Sequence, residues 1–84
     1  MYEIHIERRA VKELEKIAFE KQQYILKKIS AILSSNPFPI GNNPKRLKGE
    51  YAFRLRISDY RIIYTIESDK ILVYAIRHRK DAYR

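Results

Sequence analysis

Residues 51–64, YAFRLRISDYRIIY, are the segment that most constrains how this chain can fold. Apolar and polar residues alternate along its first half, which is the pattern of a strand with one apolar face. The polar pair Ser58 and Asp59 interrupts the alternation, and a β-branched and aromatic pattern follows it. With these two residues as the turn, Leu55 lies opposite Ile62. We therefore predict a β-hairpin whose strands share one apolar face.

The polar face of this hairpin concentrates positive charge. The same register sets Arg56 opposite Arg61, with Arg54 diagonal to Arg61 on that face. Like charges that face each other across a ladder destabilise a sheet. Three arginines gathered on one face therefore indicate a surface that binds anions.

The rest of the chain adds a strand before the hairpin, two helices and a strand after it. Residues 2–7 alternate as a strand does, and from Arg8 the apolar residues recur at helical spacing. The helical pattern slips near residues 18–21 and ends before Pro37, which predicts two helices joined by a tight bend. The apolar run 71–76 is typical of a central strand. We expect the hairpin on one side of that strand and the first strand on the other.

These elements predict an α+β fold with an antiparallel sheet, in the order strand–helix–helix–three-strand meander. The helical hairpin is expected to pack on one face of the sheet. A two-residue last turn would point Arg77 toward the helices, whereas a three-residue loop pairs Glu67 with Ile71 and Arg61 with Arg77 on the other face. Burying a lone arginine under the helices would be unfavourable. We therefore predict the three-residue loop, residues 68–70.

Composition and charge limit the function classes. The chain, residues 1–84, has the length of one domain with a small core. It has no cysteine, and its histidines and carboxylates lack metal-ligand spacing, so we expect no disulfide, metal or other cofactor. No apolar run approaches the ~20 residues of a membrane span, so we expect a cytoplasmic protein without a membrane partner. The net charge of +8, concentrated in residues 45–84, indicates a polyanionic partner.

The arginine-rich face permits either binding or cleavage of RNA. Arginine binds phosphate through two parallel hydrogen bonds and can stabilise charge on a scissile phosphodiester. RNA carries its own nucleophile, the 2′-hydroxyl, so a metal-free ribonuclease needs only positioning, charge stabilisation and proton transfer. From spacing alone, a ribonuclease and a passive RNA-binding domain remain equally consistent with the chain.

The order of elements and three motifs resemble the RelE/ParE toxin superfamily of bacterial and archaeal toxin–antitoxin systems. The motifs are RLKG at 46–49, LRISDYRIIY at 55–64 and HRKDAY at 78–83. The resemblance covers essentially the whole chain and implies a RelE-like mRNA interferase, a ribosome-dependent endonuclease that cuts mRNA by 2′-hydroxyl attack. It also implies a cognate RelB-like antitoxin as a partner, besides the ribosome and mRNA. The alternative is a ParE-like toxin that poisons DNA gyrase.

The resemblance also assigns residues by position. Arg61 and Arg77 match the arginines that hold the scissile phosphate. Tyr83 matches the terminal tyrosine that orients or stacks on the nucleotide. Because Arg77, His78 and Tyr83 have an evident use only in RNA cleavage, the tail favours the RelE-like function over the ParE-like one.

Two departures from the family's pattern affect the proton transfer. Ala52 and Arg54 stand where the best-known member has lysines, one of them a candidate general base, and arginine stays protonated. Lys45 stands where other members carry a glutamate base. His78 therefore becomes the expected proton carrier, because histidine changes charge near neutral pH. The expected RNA-binding residues are Lys45, Arg46, Lys48, Arg54, Arg56 and Arg79.

Overall fold

The structure consists of two helices and one sheet. The computed structural model describes residues 2–38, 44–47 and 52–80. In chain order the elements are β1 (Glu3–Ile6), α1 (Arg8–Glu15), α2 (Phe19–Leu33), β2 (Lys45–Arg46), β3 (Ala52–Ile57), β4 (Tyr60–Glu67) and β5 (Lys70–His78). Among the described residues the strands form one five-stranded sheet, in the order β1-β5-β4-β3-β2. The α+β class, the three-strand meander and the position of β1 beside β5 are confirmed.

The sheet is mixed, whereas the prediction made it antiparallel throughout. β1 runs parallel to β5, and the other three neighbouring pairs are antiparallel. Parallel neighbours need a long connection, which the helices and the first two meander strands provide here. The short strand β2, between α2 and β3, is an element that the sequence did not predict.

Both helices present an apolar stripe to the same face of the sheet. α1 buries Ala10 and Leu14, and α2 buries Ile25, Ile29 and Leu33. Their partners in the core come from three strands: Leu55, Ile57, Ile62, Tyr64, Ile71, Val73 and Ile76. The helical hairpin on one face is therefore confirmed, and tertiary burial is its main source of stability. None of the helices in the described residues is long and apolar enough to cross a membrane.

The turn between β4 and β5 differs from the prediction. Glu67 pairs with Lys70, so Ser68 and Asp69 form a two-residue turn, with Ser68 at a φ of 56°. Two-residue hairpin turns require a residue with positive φ, because that backbone twist matches the twist of the strands. The predicted three-residue loop, which set Glu67 opposite Ile71, is wrong.

A β-bulge on β5 nevertheless produces the predicted pairing of arginines. The register shifts between Ile63 and Tyr64, which leaves Tyr74 as an extra residue on β5. An extra residue on one strand moves every later pair by one position. Arg61 consequently pairs with Arg77, on the face away from the helices. Their side-by-side placement is confirmed, through a bulge instead of a longer loop.

Tyr64 connects the core of the sheet to the segment that follows α2. Its buried hydroxyl donates a hydrogen bond to the Pro37 carbonyl at 2.6 Å. Its ring stacks on Phe53, with centroids 5.5 Å apart. Burial raises the pKa of the Tyr64 hydroxyl above its ordinary value. The folded protein therefore retains this proton at a pH where the unfolded chain loses it.

We expect Tyr64→Phe to lower the free energy of unfolding by about 1–3 kcal/mol at neutral pH, because the Pro37 carbonyl loses its donor. As the pH rises above about 10, the unfolded chain ionises Tyr64 and the wild type loses this contribution. The difference between the two proteins should therefore narrow between about pH 9 and about pH 11 in urea denaturation. Tyr74→Phe, at an exposed tyrosine, is the matched control. If the difference in unfolding free energy stays constant over this pH range, burial does not raise the pKa of the Tyr64 hydroxyl.

Candidate functional site

Three arginines cross the sheet face that points away from the helices, one on each of β3, β4 and β5. Arg56 pairs with Arg61, and Arg61 pairs with Arg77. Because adjacent strands lie about 4.8 Å apart, these residues span roughly 10 Å. We call them the arginine row. Arg54 lies on the same face, two positions before Arg56 on β3.

Arg61, at the centre of the arginine row, is only 8% exposed. Its Nε atom is buried and has no hydrogen-bond partner among the described residues. A buried charge with an unsatisfied N–H group lowers stability unless an anion binds it. The centre of the row therefore has the features of an anion site: a fixed donor, a neighbouring positive charge on either side and little competing water.

We expect Arg61→Met to raise the free energy of unfolding by about 1 kcal/mol or more, because methionine fills similar space without a buried charge. Urea denaturation near neutral pH would measure it. Arg56→Met removes the same charge from an exposed end of the row, and its effect should stay below about 0.5 kcal/mol. A loss of stability in Arg61→Met would show instead that the guanidinium stabilises the fold.

A cleft of about 450 Å³ lies between α1 and the end of β5. Its polar and aromatic lining includes Arg9, Glu13, Lys16, Tyr60, Arg77 and His78. Arg77 therefore belongs both to the arginine row and to this cleft. The cleft is rich in positive charge, as a phosphate-binding site requires.

His78 lines the cleft and does not lie on the face that carries Arg61. Its Cα pairs with Tyr60, and the two rings meet edge-on with centroids 5.3 Å apart. His78 Nδ1 accepts a hydrogen bond from the Lys80 N–H at 3.2 Å, which leaves Nε2 as the nitrogen for proton exchange with a ligand. The structure thus brings His78 together with Arg77 at the cleft, whereas Arg61 lies on the opposite face of the sheet from His78.

The structure describes some of the predicted basic residues that precede the hairpin. Lys45 and Arg46 form β2, where they pair with Arg54 and Phe53. Arg46 is exposed at this edge of the sheet. Lys48 and the side chain of Lys45 lie outside the described residues. The backbone of β2 therefore adds a strand to the sheet next to β3, which carries Arg54 and Arg56.

The structure also describes only some of the predicted residues of the tail. Arg79 is exposed, and its N–H donates a hydrogen bond to the Asp59 carbonyl at 2.6 Å. This bond attaches the backbone immediately after β5 to the β3–β4 turn. Tyr83, predicted to contact the nucleotide, lies outside the described residues.

Glu13 is a candidate that only the structure reveals. Its Oε1 accepts the Ile76 N–H at 3.0 Å, and its Oε2 lies 3.6 Å from Arg77 Nε. A signal was present in the sequence, because Glu13 is three residues after Ala10 and one before Leu14, beside the apolar stripe of α1. A carboxylate at such a position needs a polar partner where the helix meets the sheet.

Solved structures share this architecture of two helices on one face of a mixed sheet. In the archaeal RelE–RelB complex from Pyrococcus horikoshii OT3, one chain is 25% identical to this chain and has a TM-score of 0.77, covering 96% of this chain and 98% of that one. A chain of the chromosomal ParDE system from P. aeruginosa has a TM-score of 0.76 at 13% identity, covering 93% and 96%. The fold is that of the RelE/ParE toxins.

The sequence comparison identifies the family. The family described as "ParE toxin of type II toxin-antitoxin system, parDE" matches residues 4–83. The chain therefore belongs to this family of toxins from type II toxin–antitoxin systems. It is also 29% identical over 86 residues to the mRNA interferase toxin RelE of Escherichia coli (strain K12), covering 98% of this chain and 90% of that protein. It is thus a homologue of a RelE mRNA interferase.

Proposed function

We propose that this toxin is an endoribonuclease that cleaves mRNA on the ribosome. The observation that carries the proposal is the buried Arg61 in the arginine row, whose Nε has no partner among the described residues. A guanidinium held in this way is a preorganised donor for a phosphate. The similarity to an mRNA interferase supports mRNA as the source of that phosphate.

In the proposed reaction the RNA supplies the nucleophile, so no metal is required to generate one. The 2′-oxygen attacks the adjacent phosphorus and the bond to the 5′-oxygen breaks, which leaves a 2′,3′-cyclic phosphate and a 5′-hydroxyl. Negative charge increases on the non-bridging oxygens during the attack, and Arg61 and Arg77 stabilise it by donating hydrogen bonds.

Two protons must move in this reaction, one away from the 2′-hydroxyl and one onto the 5′-oxygen. We assign one of these transfers to His78 through Nε2, because Nδ1 is occupied by the Lys80 N–H. The scissile phosphate then lies at Arg77, which borders both His78 and Arg61. Tyr83 is assigned to the nucleotide beside this phosphate. The remaining RNA contacts are assigned to Lys45, Arg46, Lys48, Arg54, Arg56 and Arg79.

We propose a RelB-like antitoxin as the physiological partner that silences this activity. The archaeal relative forms a RelE–RelB complex. The arginine row carries excess positive charge, which an acidic or amphipathic antitoxin segment could cover by folding onto it. Co-purification after joint expression with the neighbouring gene of the operon would test this. Recovery of the toxin alone, with no growth inhibition on its expression, would count against a toxin–antitoxin pair.

The second candidate function is inhibition of DNA gyrase without RNA cleavage. It is favoured by the description of the matching family, which names ParE, and by the fold shared with a ParDE system. The same basic face could bind an acidic surface of a protein target. The two functions therefore share a fold and a charge pattern, and they differ in whether RNA is cut.

One pair of assays separates the two functions. Primer extension on mRNA in programmed ribosomes, with and without the toxin, detects cleavage at the site of the bound codon. A supercoiling assay with purified gyrase detects the alternative. We expect new 5′ ends only in the presence of ribosomes and toxin, and unchanged supercoiling. Intact mRNA together with blocked supercoiling would replace the ribonuclease proposal with the ParE-like one.

A further inference from the structure

The outer edge of β5 is paired with β1 along only part of its length. The parallel pairing extends from Glu3 opposite Lys70 to Ile6 opposite Val73, and the Glu7 N–H then donates to the Val73 carbonyl at 2.9 Å. β5 continues to residue 78, beyond the end of β1. Backbone N–H groups on this outer edge need acceptors from elsewhere.

Glu13 supplies one acceptor and at the same time contacts an arginine of the site. Its Oε1 accepts the Ile76 N–H at 3.0 Å, and its Oε2 lies 3.6 Å from Arg77 Nε. Both charged side chains are partly buried, with 25% of Glu13 and 34% of Arg77 exposed. One carboxylate therefore links α1, the backbone of β5 and the guanidinium of Arg77.

Glu13 contacts Arg77 through Nε, so the terminal amino groups of Arg77 stay available to bind a phosphate. Nε is one of five N–H donors of a guanidinium, and the two terminal amino groups supply the other four. A guanidinium held at Nε keeps a defined plane and direction, whereas an unrestrained arginine samples many rotamers. The negative charge of Glu13 also reduces the repulsion between Arg77 and Arg61, which face each other across the strands.

We infer that Glu13 is a positioning residue that holds Arg77 in the orientation that binds the scissile phosphate. This inference rests on the proposed ribonuclease function. Glu13 touches neither the RNA nor the reacting atoms in this arrangement. Its contribution is to restrict Arg77 before the substrate binds, which removes an ordering cost from the cleavage step.

Glu13→Gln separates the charge of this residue from its structural hydrogen bond, because the amide oxygen can still accept the Ile76 N–H. We expect single-turnover cleavage on programmed ribosomes to slow by about 10- to 100-fold, while ribosome affinity changes by less than about twofold. Glu15→Gln, at an exposed glutamate on the same helix, is the matched control and should cleave as the wild type does. Cleavage by Glu13→Gln at the wild-type rate would overturn the inference.

A double-mutant cycle tests whether Glu13 acts through Arg77. Arg77→Lys retains the positive charge but has no Nε for the carboxylate to hold. In that background we expect Glu13→Gln to change the cleavage rate by less than about twofold, because the two effects are coupled. Equal effects of Glu13→Gln in both backgrounds would mean that Glu13 acts independently, through packing or the β5 edge.

A nitrogen-15 NMR measurement tests the contact without any activity assay. In the wild type, the Arg77 Nε–H should exchange with water more slowly than that of Arg8, an exposed arginine on α1. This protection should be lost in Glu13→Gln. If the wild type does not cleave mRNA, the ribonuclease proposal fails while this measurement still decides the contact. Exchange at Arg77 as fast as at Arg8 in the wild type would overturn the inference, even if the variant does not fold.

Discussion

Arg61→Ala should lower the single-turnover rate of mRNA cleavage by about 10²–10³-fold, which is the usual loss for one preorganised donor to a charged transition state. Arg61 lies at the centre of the arginine row, between Arg56 and Arg77, and its buried Nε has no partner among the described residues. A transition-state phosphate would satisfy this donor, and the substitution removes it. The measurement is cleavage of mRNA in a programmed ribosome complex with toxin in excess.

Affinity for the ribosome should respond much less than the rate. Many lysines and arginines contribute to general electrostatic attachment, so binding of Arg61→Ala should stay within about threefold of wild type at a fixed salt concentration. Lys27→Ala removes one exposed charge from α2 and is the matched control for net charge. Equal losses in rate and affinity would assign Arg61 to attachment. Such a result would leave the arginine row as an RNA-binding surface only.

The free energy of unfolding of Arg61→Met provides a second test of the role of Arg61. If removing this guanidinium stabilises the fold and abolishes cleavage, Arg61 is retained at the expense of stability. Functional sites often contain buried charges of this kind, because a site that binds a charged ligand is incompletely satisfied without it. The two measurements are independent, since denaturation does not involve the ribosome.

His78→Gln should slow cleavage by about 10²-fold or more, because general acid–base catalysis contributes about 10²–10⁴ in rate. Glutamine can form hydrogen bonds but cannot carry a proton near neutral pH. The pH dependence of cleavage should therefore become flatter between about pH 5 and about pH 8, where histidine side chains ordinarily titrate. Single-turnover rates measured across this range give both the rate and the profile.

The environment of His78 makes this test decisive. Its ring packs edge-on against Tyr60, and its Nδ1 accepts the Lys80 N–H, so a purely structural role is a real alternative. His5→Gln replaces the other histidine of the chain, on β1, and should leave the pH profile unchanged. A His78→Gln variant that is slower at every pH by the same factor would assign His78 to packing beside Arg77. The proton would then be carried by another group.

The part of the fold encoded by neighbouring residues could be predicted from the sequence. The alternation in residues 51–64 and the polar pair at 58 and 59 predicted the β3–β4 register, in which Arg56 and Arg61 face each other. The apolar spacing of the helices predicted that both pack on the opposite face. These features follow from local periodicity, since a side chain one position away in a strand necessarily points to the other face.

The tertiary structure decided the features that depend on distant contacts. Neither the parallel pairing of β1 with β5 nor the bulge at Tyr74 leaves a local pattern in the sequence, because both depend on how distant segments meet. The energetic cost of burying Arg77 correctly predicted the sheet face on which this residue lies. The chain reaches that arrangement with a bulge in place of a longer loop.

The same division applies to the candidate site. Arginines at alternating positions of one strand must share a face, so the sequence by itself determined on which face of the sheet the arginines lie. That Arg61 is buried, that Glu13 forms an ion pair with Arg77, and that the His78 ring packs against Tyr60 were decided only by tertiary packing. The contacts of Glu13 join α1 to the end of β5, residues more than sixty positions apart. No local pattern specifies which side chains meet across such a separation.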